Sequence, residues 1–243
     1  FEGHASVLPD GRILYGRWEY VDRNFGDAQG LWTVWPDGVN HAVYYGNNTN
    51  SPGGVIDARP VPGTDEIICT FTSCHDRPWG ALALVKRSLG IDGKQPVLRT
   101  WPEHAKEKIG IGNWDKFMEL SVRYEDPYPL DEAFFLCSKS INLKVTGNGG
   151  AGEKMGIFIV DRFGNETLVY EEPGEFGCYD PMPVRPLKSA HAVSDRTNLK
   201  KSTGSFYVMN VYKGATDYNL EPGSVKFLRV IESPEKRTWV EVG

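Results

Sequence analysis

Leu31-Trp32-Thr33-Val34-Trp35-Pro36-Asp37-Gly38, followed by His41-Ala42-Val43-Tyr44-Tyr45, is the stretch on which the fold reading turns. Five residues, mostly aromatic or β-branched, form a segment too short for a core helix and suited to a strand. Asp37-Gly38 supplies the left-handed conformation that a tight hairpin needs. A second strand then returns. Working outward, related pieces recur. Ala81–Val85 runs on to Ile91-Asp92-Gly93 and a short strand at Pro96–Arg99. Gly156–Val160 leads through Asp161-Arg162-Phe163-Gly164-Asn165 to Thr167–Tyr170. Val225–Val230 precedes Arg237–Val240.

Before each of these lies another strongly apolar strand: Ile13–Trp18, Ile67–Thr72, Ala133–Cys137 and Ser205–Met209. A Pro-containing strand comes first in every unit. Four strands per unit, at spacings within or somewhat above ~40–50 residues, is the pattern of a β-propeller. The expected fold is therefore all-β, a propeller of four-stranded antiparallel blades at about 1–50, 51–102, 114–173 and 177–243. A β-sandwich is the competing architecture, but it has no reason to repeat its turn chemistry. Four blades either close alone or form part of a larger ring, and the opening residues Phe1–Leu8, which read as mid-strand, favour the second. Pro102–Lys108 is charged and lacks an apolar stripe, so it reads as a solvated turn between units. Lys188–Ser202 reads as an extended surface loop.

Composition agrees with many short strands joined by tight turns. The 243 residues include 12% aromatics, 27 Gly and 16 Pro. A net charge of −5 provides no basic face for nucleic acid. No apolar run approaches the ~20 residues of a membrane-spanning helix. Cys69, Cys74, Cys137 and Cys178 are too few for a disulfide scaffold, and no CxxC pair suggests a zinc ribbon.

The densest chemistry lies in Cys74-His75-Asp76-Arg77-Pro78-Trp79-Gly80. Cys74 and His75 are candidate ligands of a metal ion or haem iron, with Asp76 behind the imidazole. Neighbours on a strand face opposite sides, so a shared ion requires the chain to turn there, which Pro78 and Gly80 allow. The bland alternative pairs Asp76 with Arg77 and lays Trp79 over the sheet edge. Cys69 to His75 also looks like a widened haem c attachment motif, with both thiols on one strand. First strands line a propeller's channel, so His4, Asp57, Arg59 and His75 are candidate channel-facing ligand contacts, joined by Asp76, Arg77 and Trp79. Gly147–Gly152 matches GxGxxG, but a strand follows it where a dinucleotide site needs a helix. No GxSxG, HExxH or P-loop occurs. Asp126, Asp131 and Glu132 read as solvated loop charge.

The units resemble TolB-like, WD-type propeller repeats. Longer strings carry a closer resemblance: His4–Ile13 with Arg17–Arg23, His75–Leu84, Gly156–Asn165 and Cys178–Pro186. These look like the large bacterial proteins with a hydrazine synthase alpha subunit-like middle region, and the likeness runs in order through most of the chain. It implies a propeller scaffold in an exported protein, periplasmic or extracellular, sometimes followed by a haem c region. It does not imply hydrazine synthesis, because the catalytic subunit needs covalently bound haem and this chain has no CxxCH. The first expectation is a non-catalytic binding or scaffold module, its partners being other domains of the same protein or a small-molecule, glycan or peptide ligand. The alternatives are a metal- or haem-associated oxidoreductase domain and a propeller hydrolase, with metal or haem contact at Cys74 and His75.

Overall fold

The computed structural model describes residues 2–18, 29–142, 153–186, 198–208, 210–212 and 220–232. The chain divides into two units, Phe1–Arg196 and Thr197–Gly243. The first is all-β and antiparallel. Its strands are β1 (Glu2–Val7), β2 (Ile13–Arg17), β3 (Gly30–Val34), β4 (Ala42–Tyr45), β5 (Gly54–Pro60), β6 (Glu66–Thr72), β7 (Gly80–Lys86), β8 (Val97–Trp101), β9 (Tyr124–Pro129), β10 (Phe134–Ser140), β11 (Met155–Asp161) and β12 (Glu166–Tyr170). Each run of four is an up-and-down meander, and the ladder between the second and third is confined to the Gly80–Tyr124 pair. The strands expected from sequence in the first three units coincide with these to within one to three residues at each end.

Strand β6 shows why the sheets stack. All seven of its residues are buried, so Glu66-Ile67-Ile68-Cys69-Thr70-Phe71-Thr72 lacks the apolar–polar alternation of a one-sided strand. Ile67, Cys69 and Phe71 join a core with Leu14, Leu31 and Tyr45 of the first sheet. Ile68 turns the other way, into a second core with Phe135, Cys137 and Val160 of the third sheet. The second sheet is therefore covered on both faces. Phe71 stacks on Tyr45 at 5.6 Å and meets Phe117 edge-on at 5.9 Å.

Turn chemistry closes the hairpins. Gly38, at φ 79°, donates to the Trp35 carbonyl at 2.8 Å. The Asp161 carboxylate accepts the Phe163 and Asn165 amides. Asp92 reaches across the chain instead, accepting from Asn48 N and Thr49 Oγ1.

Two expectations change. The Pro102–Lys108 segment is a short 3₁₀ turn over Glu103–Lys108, but Ala105 is fully buried and joins Ile109, Phe117 and Leu120 under the second sheet. One small apolar residue every turn suffices to dock so short an element, and no stripe is needed. In the fourth expected unit, the described residues of 177–232 contain no strand. Phe206 and Phe227 stand 79% and 93% exposed, with no sheet face on which a lone extended segment gains stability. Met209 and Arg237–Val240 of that expectation, most of Lys188–Ser202 and the GxGxxG match lie outside the described residues.

Phe71→Ala should cost about 3–5 kcal/mol, the range for emptying a fully buried aromatic site. Urea denaturation should show a lower midpoint with an unchanged slope.

Candidate functional site

The first strands of the three meanders, β1, β5 and β9, carry the same irregularity. Each breaks register with its neighbour, between Gly3 and Ser6, between Ile56 and Arg59, and opposite Leu136–Ser138. At each break one residue is left-handed: His4 (φ 55°), Asp57 (φ 52°) and Asp126 (φ 54°). Asp180 (φ 47°) repeats the feature after the third sheet. A side chain in this conformation costs roughly 1–2 kcal/mol, and His and Asp tolerate it better than most. A bulge re-aims the side chain it carries.

The four come together. His4 Nδ1 donates to Asp57 Oδ1 at 2.6 Å, and the Asp180 amide donates to Asp126 Oδ2 at 3.0 Å. The bond to Asp57 holds the His4 pKa above its ordinary value, against the opposing effect of burial, and the charges of Asp126 and Asp180 add to it. Burial raises Asp126, as do the charges of Asp180 and Asp57. Arg59 and Arg185 lie over the Tyr128 ring, 5.2 and 6.0 Å from its centre.

Beside His4 a cavity of about 180 Å³ lies between the first two sheets. Trp18, Val55, Ile56 and Pro78 give it apolar wall, and Ser73, Cys74 and Asp76 give it polar wall. The Ser73 hydroxyl is buried, at 4% exposure for the residue, and has no hydrogen-bond partner. Such a group costs about 1–3 kcal/mol until something satisfies it. The Cys74 thiol accepts from Gln29 Nε2 at 2.8 Å, and burial raises its pKa. Gly53 makes this loop possible. A Cβ there would lie 2.0 Å from the Trp114 carbonyl and 2.7 Å from the Cys74 amide, the two groups that hydrogen-bond each other.

Next to the cavity, charged groups are packed between the second and third sheets. Arg77 donates to Glu125 Oε1 at 3.0 Å and lies over Trp79 at 4.5 Å and Tyr179 at 5.4 Å. Arg123 approaches Trp79 at 5.5 Å, stands 3.8 Å from Asp76 Oδ2 and donates to the Phe117 and Met118 carbonyls. Both Glu153 oxygens are buried without a partner. Burial drives the Glu125 pKa up to about 8, the carboxylates around it adding to the rise and Arg77 opposing it. Burial likewise takes Glu153 to about 7.

The sequence candidates thus divide. His4 and Asp57 are bonded to each other. Cys74, Asp76 and His4 share the cavity. Arg59 stacks on Tyr128 instead. Asp76 accepts the Arg77 backbone amide, while the Arg77 guanidinium goes to Glu125, so the expected pairing of the two side chains is replaced by two longer-range ones. Trp79 is buried, with the Arg77 and Arg123 guanidiniums close to its ring. His75 bonds Asp115 through both its ring and its amide, whereas Cys74 bonds Gln29. Among the described residues, no group of three or more His, Cys, Asp or Glu converges to hold a metal ion. All four cysteines are free thiols, and Cys69 is sealed in the core.

Asp126 is not solvated loop charge: it is partly buried and accepts the backbone amide of Asp180, which lies outside any strand. Asp126 and Asp180 were legible in one signal. Asp57-Ala58-Arg59-Pro60 in β5, Asp126-Pro127-Tyr128-Pro129 in β9 and Asp180-Pro181-Met182-Pro183 after β12 each place an Asp three residues before a Pro.

Comparison of the chain with protein-family models, characterised proteins and solved structures finds no match.

The raised carboxyls set a pH dependence. Folded Glu125 keeps its proton up to about pH 8, whereas its unfolded form loses it near 4.5, so the native state binds the extra proton between them. Its stabilising contribution is complete below pH 4.5 and is lost as pH rises toward 8. His4, also raised, acts in the same direction. Urea midpoints should fall across this window, and Glu125→Gln should flatten the decline. An equally steep decline in the variant would exclude Glu125 as its source.

Proposed function

We propose that this chain is a β-propeller binding module of a larger exported protein, and that it holds a small ligand between its first two sheets. The cavity carries the reading: about 180 Å³, apolar on one wall, with a buried hydroxyl that no protein group satisfies. Three successive four-stranded meanders support the propeller, as does the packing of β1 against β5 and of β5 against β9. The matching left-handed residues on those strands support it further. Kinship with the hydrazine synthase alpha subunit-like middle region belongs to the same proposal, and an envelope location follows from it.

A metal- or haem-associated role has one observation in its favour, the Cys74 thiol facing the cavity. The separate bonding of His75 to Asp115 weighs against a shared ion.

The test is a thermal-shift and NMR screen of small molecules, glycans and peptides. Ligands should perturb His4 and Ser73. Alkylating Cys74, in a Cys178→Ser background, should reduce binding at least about tenfold by filling the cavity. Binding indifferent to alkylation would place the ligand elsewhere. Metal analysis of the same protein and of Cys74→Ala separates the second reading: metal present in the parent and lost in the variant would favour it over the first.

A further inference from the structure

The cavity lies between two sheets, and one side-chain bond spans them at its edge. His4 belongs to β1 of the first sheet and Asp57 to β5 of the second, and the His4 ring also lines the cavity. The imidazole donates from Nδ1 to Asp57 Oδ1 at 2.6 Å, and its side chain is 37% exposed. Both residues sit at left-handed positions where their strands break register, and such bulges re-aim the side chains they carry. A second bond, from the Ser6 hydroxyl to the Ala58 carbonyl at 2.6 Å, joins the same two strands and carries no titratable group.

The groups around His4 make this bond sensitive to its proton. The cations of the neighbouring strands are turned elsewhere, Arg17 of β2 over Trp32 and Arg59 of β5 over Tyr128. On β9, Glu125 is answered by Arg77, while the Asp126 carboxylate accepts the Asp180 amide. Across the cavity, Asp76 accepts the Arg77 amide and stands 3.8 Å from Arg123, and the Cys74 thiol accepts from Gln29. Among the described residues the imidazolium is therefore the cation bonded to Asp57. A charge-assisted bond is roughly twice as strong as a neutral one, so a neutral imidazole ties the two sheets less firmly. Resting on the reading of the cavity as a ligand site, we propose that the His4–Asp57 bond is a pH-sensitive latch on that cavity, closed while the imidazole is charged and loosened when it is neutral. The bond to Asp57 raises the His4 pKa above its ordinary 6.5, so the latch is fully closed below pH 6.5 and loosens as pH rises through the raised value.

Cys74 lines the same cavity as a free thiol, so its reaction with N-ethylmaleimide reports how open the cavity stands. Rates on the full chain are followed by mass spectrometry from about pH 5.5 to about pH 8.5, across the range in which a histidine titrates, with Cys178 as internal reference. His4→Gln keeps a donor for Asp57 but takes no charge, and ionisation of the thiol cancels in the ratio of variant to parent. That ratio should be at least about threefold at the acid end, where the parent latch is charged, and fall to unity at the alkaline end. Its midpoint should match the His4 titration seen by NMR. Asp57→Asn should give the same profile and bring the His4 midpoint down toward 6.5. Ser6→Ala, which loosens the same strands without touching a titratable group, should speed Cys74 equally at every pH.

A ratio that does not change with pH overturns the latch and leaves the cavity reading standing. So does a parent that reacts faster than His4→Gln at acid pH, the sign expected if the imidazolium merely stabilised the thiolate. If His4→Gln fails to fold, the ratio taken with Asp57→Asn decides in its place. A Cys74 that reacts only after denaturation, in the parent and in every variant, closes the cavity to small molecules and removes both readings together.

Discussion

Burial of β6 on both faces is the constraint from which the rest follows. A strand with Ile67, Cys69 and Phe71 on one side and Ile68 on the other is stable only between two other sheets. Stacking the first and third sheets on the second brings β1 against β5 and β5 against β9. With β1 against β5, the bulges in the two strands place His4 beside Asp57, and the bulge in β9 lets Asp126 accept the Asp180 amide. The site is thus a consequence of layer packing, with the bulge setting its aim.

The left-handed residues show where stability is given up for position. Glycine would occupy those angles at little cost, and the chain uses glycine freely in its turns, at Gly11, Gly38 and Gly63 among others. In β1, β5 and β9 it uses His or Asp, which keep a titratable group there at the expense of backbone strain. Buried Glu125 and Glu153 carry a similar expense in desolvation. Strain and buried charge gathered in one region are features that binding sites share with structural ion-pair networks.

How much of this the sequence disclosed depended on whether the signal was local. Strands and turns were legible because apolar runs such as Ala81–Val85 and turns such as Asp37-Gly38 are set within a few residues. The fourth unit was read from the same runs, yet Ser205–Val208 and Val225–Val230 are not strands. A strand exists by pairing, and propensity alone does not provide a partner. His4 and Asp57 were reachable from their place on first strands. Asp126 was not singled out, because its charge looked like that of Asp131 and Glu132 beside it. Only its phase against the following Pro distinguishes it.

The Cys74–Gly80 loop shows the opposite failure, in which a dense local cluster misleads about who meets whom. Adjacent in sequence, Cys74 and His75 bond residues from different parts of the chain, Gln29 and Asp115. Asp76 and Arg77, also adjacent, engage Arg123 and Glu125. A turn fans its side chains outward, so it serves to tie three other segments to one point rather than to gather four groups on one ligand. That tie explains how Ser73 stays buried and oriented while its hydroxyl lacks a partner. The loop is braced on both sides by bonds that do not involve the Ser73 side chain.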